Sequence, residues 1–302
     1  MRVGWVEPHL APCGGIRRVL EISNRLSDRG HPQTIFLPEK VLLQQTICDW
    51  FPVKAEFAPL ELIEELDLDV VVFNLEEYWE LPLKSPAPVK VYYILHYAPL
   101  YKDANIARSS YQAPYKRLAN SNWTADMVFL ETGERPQVIH GGINPKHFYP
   151  VDVPKEYDLL CYGSPHIWKG TATIEEAARI LGLKLEKYDG KGIPQEKMGE
   201  EYSKARIFVS GSWCEGWNQP GLEAMACGVP LVITDDGGSA DYAKDGENCL
   251  VVPPRDPIAM AEAIKLVSKK KGLVKKGLET AKQFRWEKTA REIEEVFQRW
   301  LK

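Results

Sequence analysis

Two glutamates, Glu215 and Glu223, stand eight positions apart around a tight turn that opens into a short helical pattern. Pro220 suits the first position of that helix, because its missing N–H group is not needed there. A helix N-terminus offers free backbone N–H groups and partial positive charge, so it attracts anions. A phosphate-binding turn between two carboxylates predicts a ligand with both phosphate and hydroxyl groups, as a nucleotide-sugar has.

Three further places along the chain combine residues that are able to bind such a ligand. Gly14 and Gly15 follow the first predicted strand, where glycine lets the backbone approach a phosphate or an acceptor. Lys169 lies at the start of a helix predicted over 170–181 and opposes its dipole, so we expect an anion such as a diphosphate to compensate it. His96 ends another predicted strand. The alternatives are an ordinary turn, a solvated lysine and a core or surface histidine.

The segment EGWNQPGLE resembles the Glu-x7-Glu signature of the retaining glycosyltransferases of family 4, which have the two-domain GT-B fold. Five other stretches resemble this family in the same order along the chain. They are PCGG at 12–15, VYYILH at 91–96, ANSNWTADMV at 119–128, VIHGGINPKHFYP at 138–150 and YGSPHIWKG at 162–170.

The resemblance implies a role for each of these residues. Glu223 binds the ribose hydroxyls, Glu215 and His96 position the donor sugar, and Lys169 stabilises the leaving diphosphate. Backbone N–H groups around Pro220 hold the phosphates. The implied catalytic residues are His96, Lys169 and Glu215, and the implied donor-binding residues are Gly14, Gly15, Gly163, Ser164, Lys169, Asn218, Gln219, Pro220, Gly221 and Glu223.

The sequence departs from the family at two places. An arginine usually follows the glycine of the second phosphate loop, but Ser164 stands there. His166, Arg17 or Arg18 substitutes for it, or donor affinity is weak, or the protein is not an active transferase. Asn218-Gln219 replaces the usual Gly-Leu pair, which leaves the backbone contacts intact and changes the sugar pocket.

Strand-like apolar runs alternate with helical patterns from end to end, which is typical of parallel α/β sheets. This alternation predicts an α/β fold with two doubly wound Rossmann-like parallel-sheet domains, and the resemblance implies that they have the GT-B arrangement, facing an interdomain cleft. It also implies an N-terminal acceptor domain over 1–147, a donor domain over 148–286 and a C-terminal helix over 287–302 that returns to the N-terminal domain. The predicted strands are RVGWV, QTIFL, DVVVFNL, KVYYIL, PQVIH, EYDLLCYG, RIFVS, PLVIT and NCLVV.

Composition restricts the class of protein. The 302 residues carry a net charge of −4, which gives no electrostatic case for binding nucleic acid. No apolar run reaches the ~18 residues of a transmembrane helix. Six cysteines without a CxxC pair indicate free thiols in a reducing, cytoplasmic setting. The lysine-rich stretch 265–277 is typical of a solvated helical face, with peripheral membrane contact as the alternative.

No metal or other cofactor is expected. Asp67 and Asp69 match an Asp-x-Asp metal motif, but they precede a strand instead of following one. Lysine and helix dipoles are able to neutralise a diphosphate without a metal.

The resemblance therefore implies a retaining glycosyltransferase that uses a nucleotide-diphosphate-sugar as substrate and a sugar, lipid or polysaccharide as acceptor. The resemblance places the acceptor mainly in the N-terminal domain. Two alternatives stay open, a nucleotide-sugar epimerase and a transferase-like accessory or binding protein without turnover.

Overall fold

The computed structural model describes residues 1–100, 103–189, 192–270 and 272–302. Lys271, inside the lysine-rich stretch, lies outside these ranges. The chain forms two compact units, one of Met1–Gly142 with Trp286–Lys302 and one of Ile143–Arg285. No helix among the described residues is long and apolar enough to span a membrane.

The N-terminal unit is built on a sheet whose paired strands all run parallel, in the order β3-β2-β1-β4-β5-β6-β7. Its central strands are apolar and buried on both faces, as expected when helices cover a parallel sheet. The strands are β1 (Val3–Val6), β2 (Gln33–Leu37), β3 (Glu56–Pro59), β4 (Val70–Phe73), β5 (Val89–Ile94), β6 (Lys116–Ala119) and β7 (Gln137–Val138).

The helices of this unit pack their apolar faces on the sheet. In α1 the buried residues Ile16, Val19, Leu20 and Leu26 recur at helical spacing and join the core of one sheet face. Ser121 caps α4 by accepting a hydrogen bond from the backbone N–H of Thr124 at 3.1 Å. The helices are α1 (Gly14–Asp28), α2 (Glu39–Leu42), α3 (Ala104–Gln112) and α4 (Asn122–Thr132).

The C-terminal unit has a second parallel sheet, in the order β12-β11-β10-β8-β9. The predicted pair of parallel α/β sheets is therefore confirmed. Its strands are β8 (Tyr157–Tyr162), β9 (Leu185–Tyr188), β10 (Ala205–Ser210), β11 (Leu231–Thr234) and β12 (Leu250–Val252), and its helices are α5 (Thr171–Leu181), α6 (Met198–Ser203), α7 (Gln219–Ala226), α8 (Pro257–Val267) and α9 (Leu273–Ala281).

The last helix, α10 (Trp286–Leu301), belongs to the N-terminal unit and packs against α1. Its residues Ile293 and Phe297 are buried in the same core as the apolar face of α1. His31 and Arg29, which follow α1, both contact the Glu294 carboxylate, and His31 Nε2 lies 2.6 Å from its Oε1. Apolar packing and an ion pair thus join the two ends of the chain.

Three short strands, β3, β6 and β9, were not predicted from the sequence. Each has four residues and mixes charged with apolar side chains. β3 and β9 lie at the edges of their sheets, where one side of the strand has no neighbouring strand to bury it. The continuous apolar pattern that indicates a central strand is therefore absent from them.

Candidate functional site

The predicted donor residues lie where the strand order of the second sheet reverses. β8 and β10 are adjacent there, although β9 separates them in sequence. Ligands of doubly wound sheets bind beyond the carboxyl ends of strands at such a reversal. Gly163–Lys169 follows β8, and the 211–218 loop follows β10. The fold thus brings the two predicted donor loops to one edge.

Two glycines allow the second donor loop to pack closely, Gly170 against the 211–218 loop and Gly163 against β9. Gly170 has a φ of +61°, and a Cβ there would lie 1.8 Å from the carbonyl oxygen of Gly211. A Cβ on Gly163 would come within 2.9 Å of Lys187 Cβ, while its N–H donates to the Tyr188 carbonyl oxygen at 2.7 Å. A larger residue at 170 would push the two loops apart, whereas a larger residue at 163 would press the second loop away from β9.

Lys169 and Glu215 form an ion pair between the two loops. Lys169 Nζ donates to Glu215 Oε1 at 2.6 Å, and the Ser212 hydroxyl donates to the same oxygen at 2.7 Å. Burial alone would lower the pKa of Lys169, but the charge of Glu215 and the hydrogen bond to it outweigh burial and raise it. Glu215 thus compensates the charge of Lys169 within the protein, and the contact of Lys169 with a diphosphate stays a prediction.

Asn218 sets the start of α7. Its φ of 55° is left-handed, and its Oδ1 accepts a hydrogen bond from the backbone N–H of Gly221 at 3.3 Å. Its Nδ2 donates to the Ser210 hydroxyl at 2.8 Å and to Asp236 Oδ2 at 2.5 Å. A Cβ on Gly221 would lie 2.5 Å from the Tyr242 hydroxyl oxygen, which explains the glycine. The predicted phosphate contact of the Gly221 N–H thus competes with the Asn218 cap.

Asp236 belongs to this site and was missed from the sequence. It is 2% exposed, and its Oδ1 accepts from the Ser239 N–H at 2.9 Å. Burial and the charge of Glu215 raise its pKa to about 7, although hydrogen bonds from Asn218 and Ser239 act in the opposite direction. The signal was present, since the polar run 234–239 follows β11 at the same edge of the sheet.

Glu223 lies inside α7 and is only 1% exposed. The Tyr202 hydroxyl donates to its Oε2 at 2.8 Å, and the hydroxyls of Tyr202 and Tyr188 are 2.5 Å apart. A ribose reaches this carboxylate only if the Tyr202 contact opens. Glu215 and Glu223, which were predicted to contact different parts of one ligand, therefore also differ in access.

A small cavity lies among the loop residues. Its volume is about 20 Å³, which is enough for one water molecule or one oxygen of a larger group. It is lined by Tyr162, Lys169, Ser212, Glu215, Asn218 and Pro220. Ser164 is half-buried beside these loops, and its carbonyl oxygen accepts from the Thr171 hydroxyl at 3.1 Å.

The N-terminal unit carries the other predicted residues. A Cβ on Gly14, at the start of α1, would meet no atom within 4 Å, so no neighbouring atom requires glycine there. A Cβ on Gly15 would lie 3.5 Å from the Leu95 side chain, next to His96 in sequence. His96 is 27% exposed, and its Nε2 lies 3.5 Å from Glu76 Oε2.

The prediction that Arg18 could replace the arginine missing at Ser164 is wrong. Arg18 is 4% exposed, donates to the Tyr93 hydroxyl at 2.6 Å and lies over the Trp286 ring. Its guanidinium therefore holds α10 and β5 together instead of facing a ligand.

The Asp-x-Asp pair lies before β4, as expected. Asp69 Oδ2 accepts from the backbone N–H of Arg2 at 2.7 Å, and Asp67 pairs with the Arg2 side chain at 2.6 Å. Among residues 1–100, 103–189, 192–270 and 272–302, no three His, Cys, Asp or Glu residues are grouped to hold a metal ion.

Comparison with known proteins finds a family match over most of the C-terminal unit and the start of α10. Residues 156–292 match the family of glycosyl transferases group 1. The chain is 28% identical over 176 residues to the O-antigen chain mannosyltransferase B of Escherichia coli, a match that covers 55% of this chain and 43% of that protein. The chain spans about half or less of the length of the curated relatives it matches.

Solved structures share the fold over the whole chain. Sucrose-phosphate synthase of Thermosynechococcus elongatus aligns with a TM-score of 0.79 at 18% identity, covering 99% of this chain and 98% of that one. HepE of Anabaena, solved in complex with UDP-glucose, aligns with a TM-score of 0.78 at 17% identity, covering 99% of both. The chain therefore has the GT-B fold, and residues 156–292 are similar to the glycosyl transferases group 1.

Proposed function

We propose that this protein transfers a sugar from a nucleoside-diphosphate sugar to an acceptor hydroxyl, with retention of configuration at the anomeric carbon. The observation that carries the proposal is the Lys169–Glu215 pair beside the N-terminus of α7, at the strand reversal of the C-terminal sheet. The match of this unit to glycosyl transferases group 1 supports it.

In the proposal the diphosphate lies against Lys169 and the backbone N–H groups of Asn218 and Gln219, with Gly163 and Ser164 at the second loop. Glu215, whose carboxylate is already oriented by Lys169 and Ser212, positions the sugar hydroxyls. Glu223 takes the ribose once Tyr202 releases it. His96, Gly14 and Gly15 of the N-terminal unit keep the sugar and phosphate roles that the resemblance implies.

The transfer forms a bond between the acceptor oxygen and the anomeric carbon and breaks the bond from that carbon to the phosphate oxygen. The bonding electron pair leaves with the phosphate, and the acceptor proton moves to that same oxygen. Glu215 Oε1 accepts two hydrogen bonds, from Lys169 and Ser212, which makes this carboxylate a poor nucleophile and favours direct displacement on one face. Lys169 stabilises the negative charge that grows on the leaving oxygen.

The proposal includes no metal or cofactor, because a lysine and a helix N-terminus supply the positive charge. It does not specify the nucleotide base or the donor sugar. The acceptor is a sugar, a lipid or a polysaccharide. The E. coli relative is named for an O-antigen chain, which makes bacterial glycan fragments sensible first acceptors.

The test is release of nucleoside diphosphate from UDP-, GDP- and ADP-sugars in the presence of glycan and lipid acceptors, with and without EDTA. NMR of the product establishes the anomeric configuration. We expect diphosphate release that needs an acceptor, survives EDTA and keeps the donor's configuration. A product with inverted anomeric configuration would contradict the mechanism. Activity that EDTA abolishes and manganese restores would indicate a metal site.

A binding protein without turnover is the second candidate. It is favoured by Ser164 in place of the usual arginine and by Glu215, which already neutralises Lys169. Binding of a nucleotide-sugar without any diphosphate release, across the same donors and acceptors, would favour this candidate over the enzyme.

A further inference from the structure

A concave surface of the C-terminal unit lies at the opposite edge of the sheet from the donor loops. This basal pocket is at the amino ends of β8, β10 and β11, and its volume is about 720 Å³. That volume falls within the range of ligand pockets, about 300–1,000 Å³. Its apolar lining is Leu181, Leu183, Ile207, Pro230, Ile264 and Val274.

Cations outnumber acids at the mouth of the basal pocket. Lys155, Arg206 and Lys265 line it, and Asp158 is the only acid among the described residues of its lining. Asp158 Oδ1 lies 3.6 Å from Arg206 Nε. Arg206 is thereby partly compensated, which leaves two lysines without a carboxylate in the lining.

Lys155 is the most constrained of these cations. Its Nζ donates to the carbonyl oxygens of Ser203 and Ala205 at 2.7 and 2.9 Å, which are neutral acceptors. Burial and the neighbouring charge of Arg206 lower its pKa. An ammonium group held in place beside a second cation is stabilised by an anion that bridges the two.

The lysine-rich stretch adds to this charge. Lys265 and Val274, from α8 and α9, belong to both the stretch and the pocket lining. Lys269, Lys270, Lys275 and Lys276 of the same stretch are exposed, and none of them forms an ion pair with a described residue. An apolar pocket lined by Lys155, Arg206 and Lys265 is suited to a ligand that has an apolar chain and an anionic head.

We propose that the basal pocket binds a single-chain anionic lipid, with the hydrocarbon chain against Leu183 and Ile264 and the head group between Lys155 and Arg206. This site lies beyond the amino ends of the strands, whereas the proposed donor site lies beyond their carboxyl ends. The inference is therefore independent of whether the protein transfers a sugar.

The test is calorimetric titration of the full chain with oleoyl lysophosphatidate below its micelle concentration. Uncharged monooleoylglycerol and inorganic phosphate serve as probes for the chain and the head group alone. We expect the lysophosphatidate to bind about tenfold more tightly than monooleoylglycerol, as two added cation contacts of about 0.7 kcal/mol each imply. Phosphate alone should bind too weakly to measure.

Two variants probe the two halves of the site. The double variant Lys155→Ala/Arg206→Ala should bind lysophosphatidate only as tightly as monooleoylglycerol. Leu183→Asp should weaken the binding of both lipids. Lys184→Ala is the matched control, since Lys184 is exposed nearby but lies over the Tyr157 ring outside the pocket lining. Thermal unfolding verifies that each variant is folded.

Equal affinity for the charged and uncharged lipids, or an unchanged affinity in the double variant, overturns the proposal. Measurable binding of phosphate that competes with the lipid head group also overturns it, since the pocket would then be a simple anion site. Should Leu183→Asp not fold, the double variant and the comparison of lipids decide the outcome without it.

Discussion

Lys169 and Glu215, 46 positions apart in the chain, meet through a 2.6 Å hydrogen bond that closes the two loops of the candidate donor site. Their side chains are 31% and 17% exposed, so solvent screens the pair only partly. The site is thus electrically compensated before any ligand arrives. A diphosphate that binds Lys169 has to share it with Glu215.

The first prediction concerns the energy of this pair. A double-mutant cycle with Lys169→Met and Glu215→Gln should give a coupling of about 1–2 kcal/mol in the free energy of unfolding, between the values for exposed and buried pairs. The control is Lys187 and Glu175, which are 2.7 Å apart but nearly half exposed. Their cycle should give under ~0.5 kcal/mol. A Lys169–Glu215 coupling as small as that of the control would show that this pair does not stabilise the two loops.

The second prediction concerns pH and Asp236. Its pKa is raised from the ordinary value of 3.8 to about 7, so the folded protein binds more protons than the unfolded chain between these values. The resulting contribution to the free energy of unfolding is roughly 4 kcal/mol at most. It is fully present below about pH 4 and is lost as the pH rises to 7. Melting temperatures from pH 4 to 8 check it.

Asp236→Asn should flatten this part of the stability profile, whereas Asp235→Asn, at the exposed neighbouring position, should leave it as in the wild type. Identical profiles for the two variants would remove Asp236 from the account.

The third prediction separates Glu223 from the phosphates. Glu223→Gln should weaken the binding of a nucleoside diphosphate by about 1–3 kcal/mol, because the ribose hydroxyls reach the carboxylate. It should leave the binding of the 2′,3′-dideoxy counterpart unchanged, because that ligand lacks those hydroxyls. Calorimetry with both ligands measures this, and Glu279→Gln on α9 is an exposed control. A Glu223→Gln protein that still prefers the ribose form to the same extent contradicts the ribose role, and Glu223 then serves only to hold Tyr202.

The fourth prediction concerns the residue after Gly163. Ser164→Arg adds a cation to a site whose lysine is already paired, so it should tighten diphosphate binding by about 1.5–3 kcal/mol. Ser164→Gln controls for the added length without charge. If the two variants bind alike, either His166 already supplies that charge or the loop has no room for the arginine.

The sequence was sufficient for features that depend on nearby residues. The Gly/Asn/Pro turn predicted a helix over 220–227, and the structure has it at Gln219–Ala226, since Pro220 and the Asn218 cap act locally. Central strands were equally visible because burial on both faces makes them continuously apolar. The edge strand β9 was missed because its residues Glu186 and Lys187 interrupt that pattern.

Features that depend on distant pairing were not predictable. Nothing in the spacing of Lys169 and Glu215 shows that β8 and β10 are neighbours, and that adjacency alone creates the ion pair. The burial of Glu223 depends on Tyr202 and Tyr188, which come from α6 and β9. A signature of two glutamates in sequence therefore contained one accessible carboxylate and one covered by tyrosines.

The most direct test of the account is calorimetric titration of UDP, GDP and ADP into the wild type, Lys169→Ala and Lys169→Ala/Glu215→Ala, with turnover measured on the same proteins. We predict that at least one diphosphate binds more tightly than its monophosphate. We also predict that Lys169→Ala slows turnover by raising the activation free energy by roughly 3–4 kcal/mol. The double variant should recover part of the lost binding, because it removes the carboxylate that Lys169→Ala leaves unpaired. No binding of any diphosphate at millimolar concentration, or a Lys169→Ala protein with unchanged affinity and turnover, would contradict the central claim.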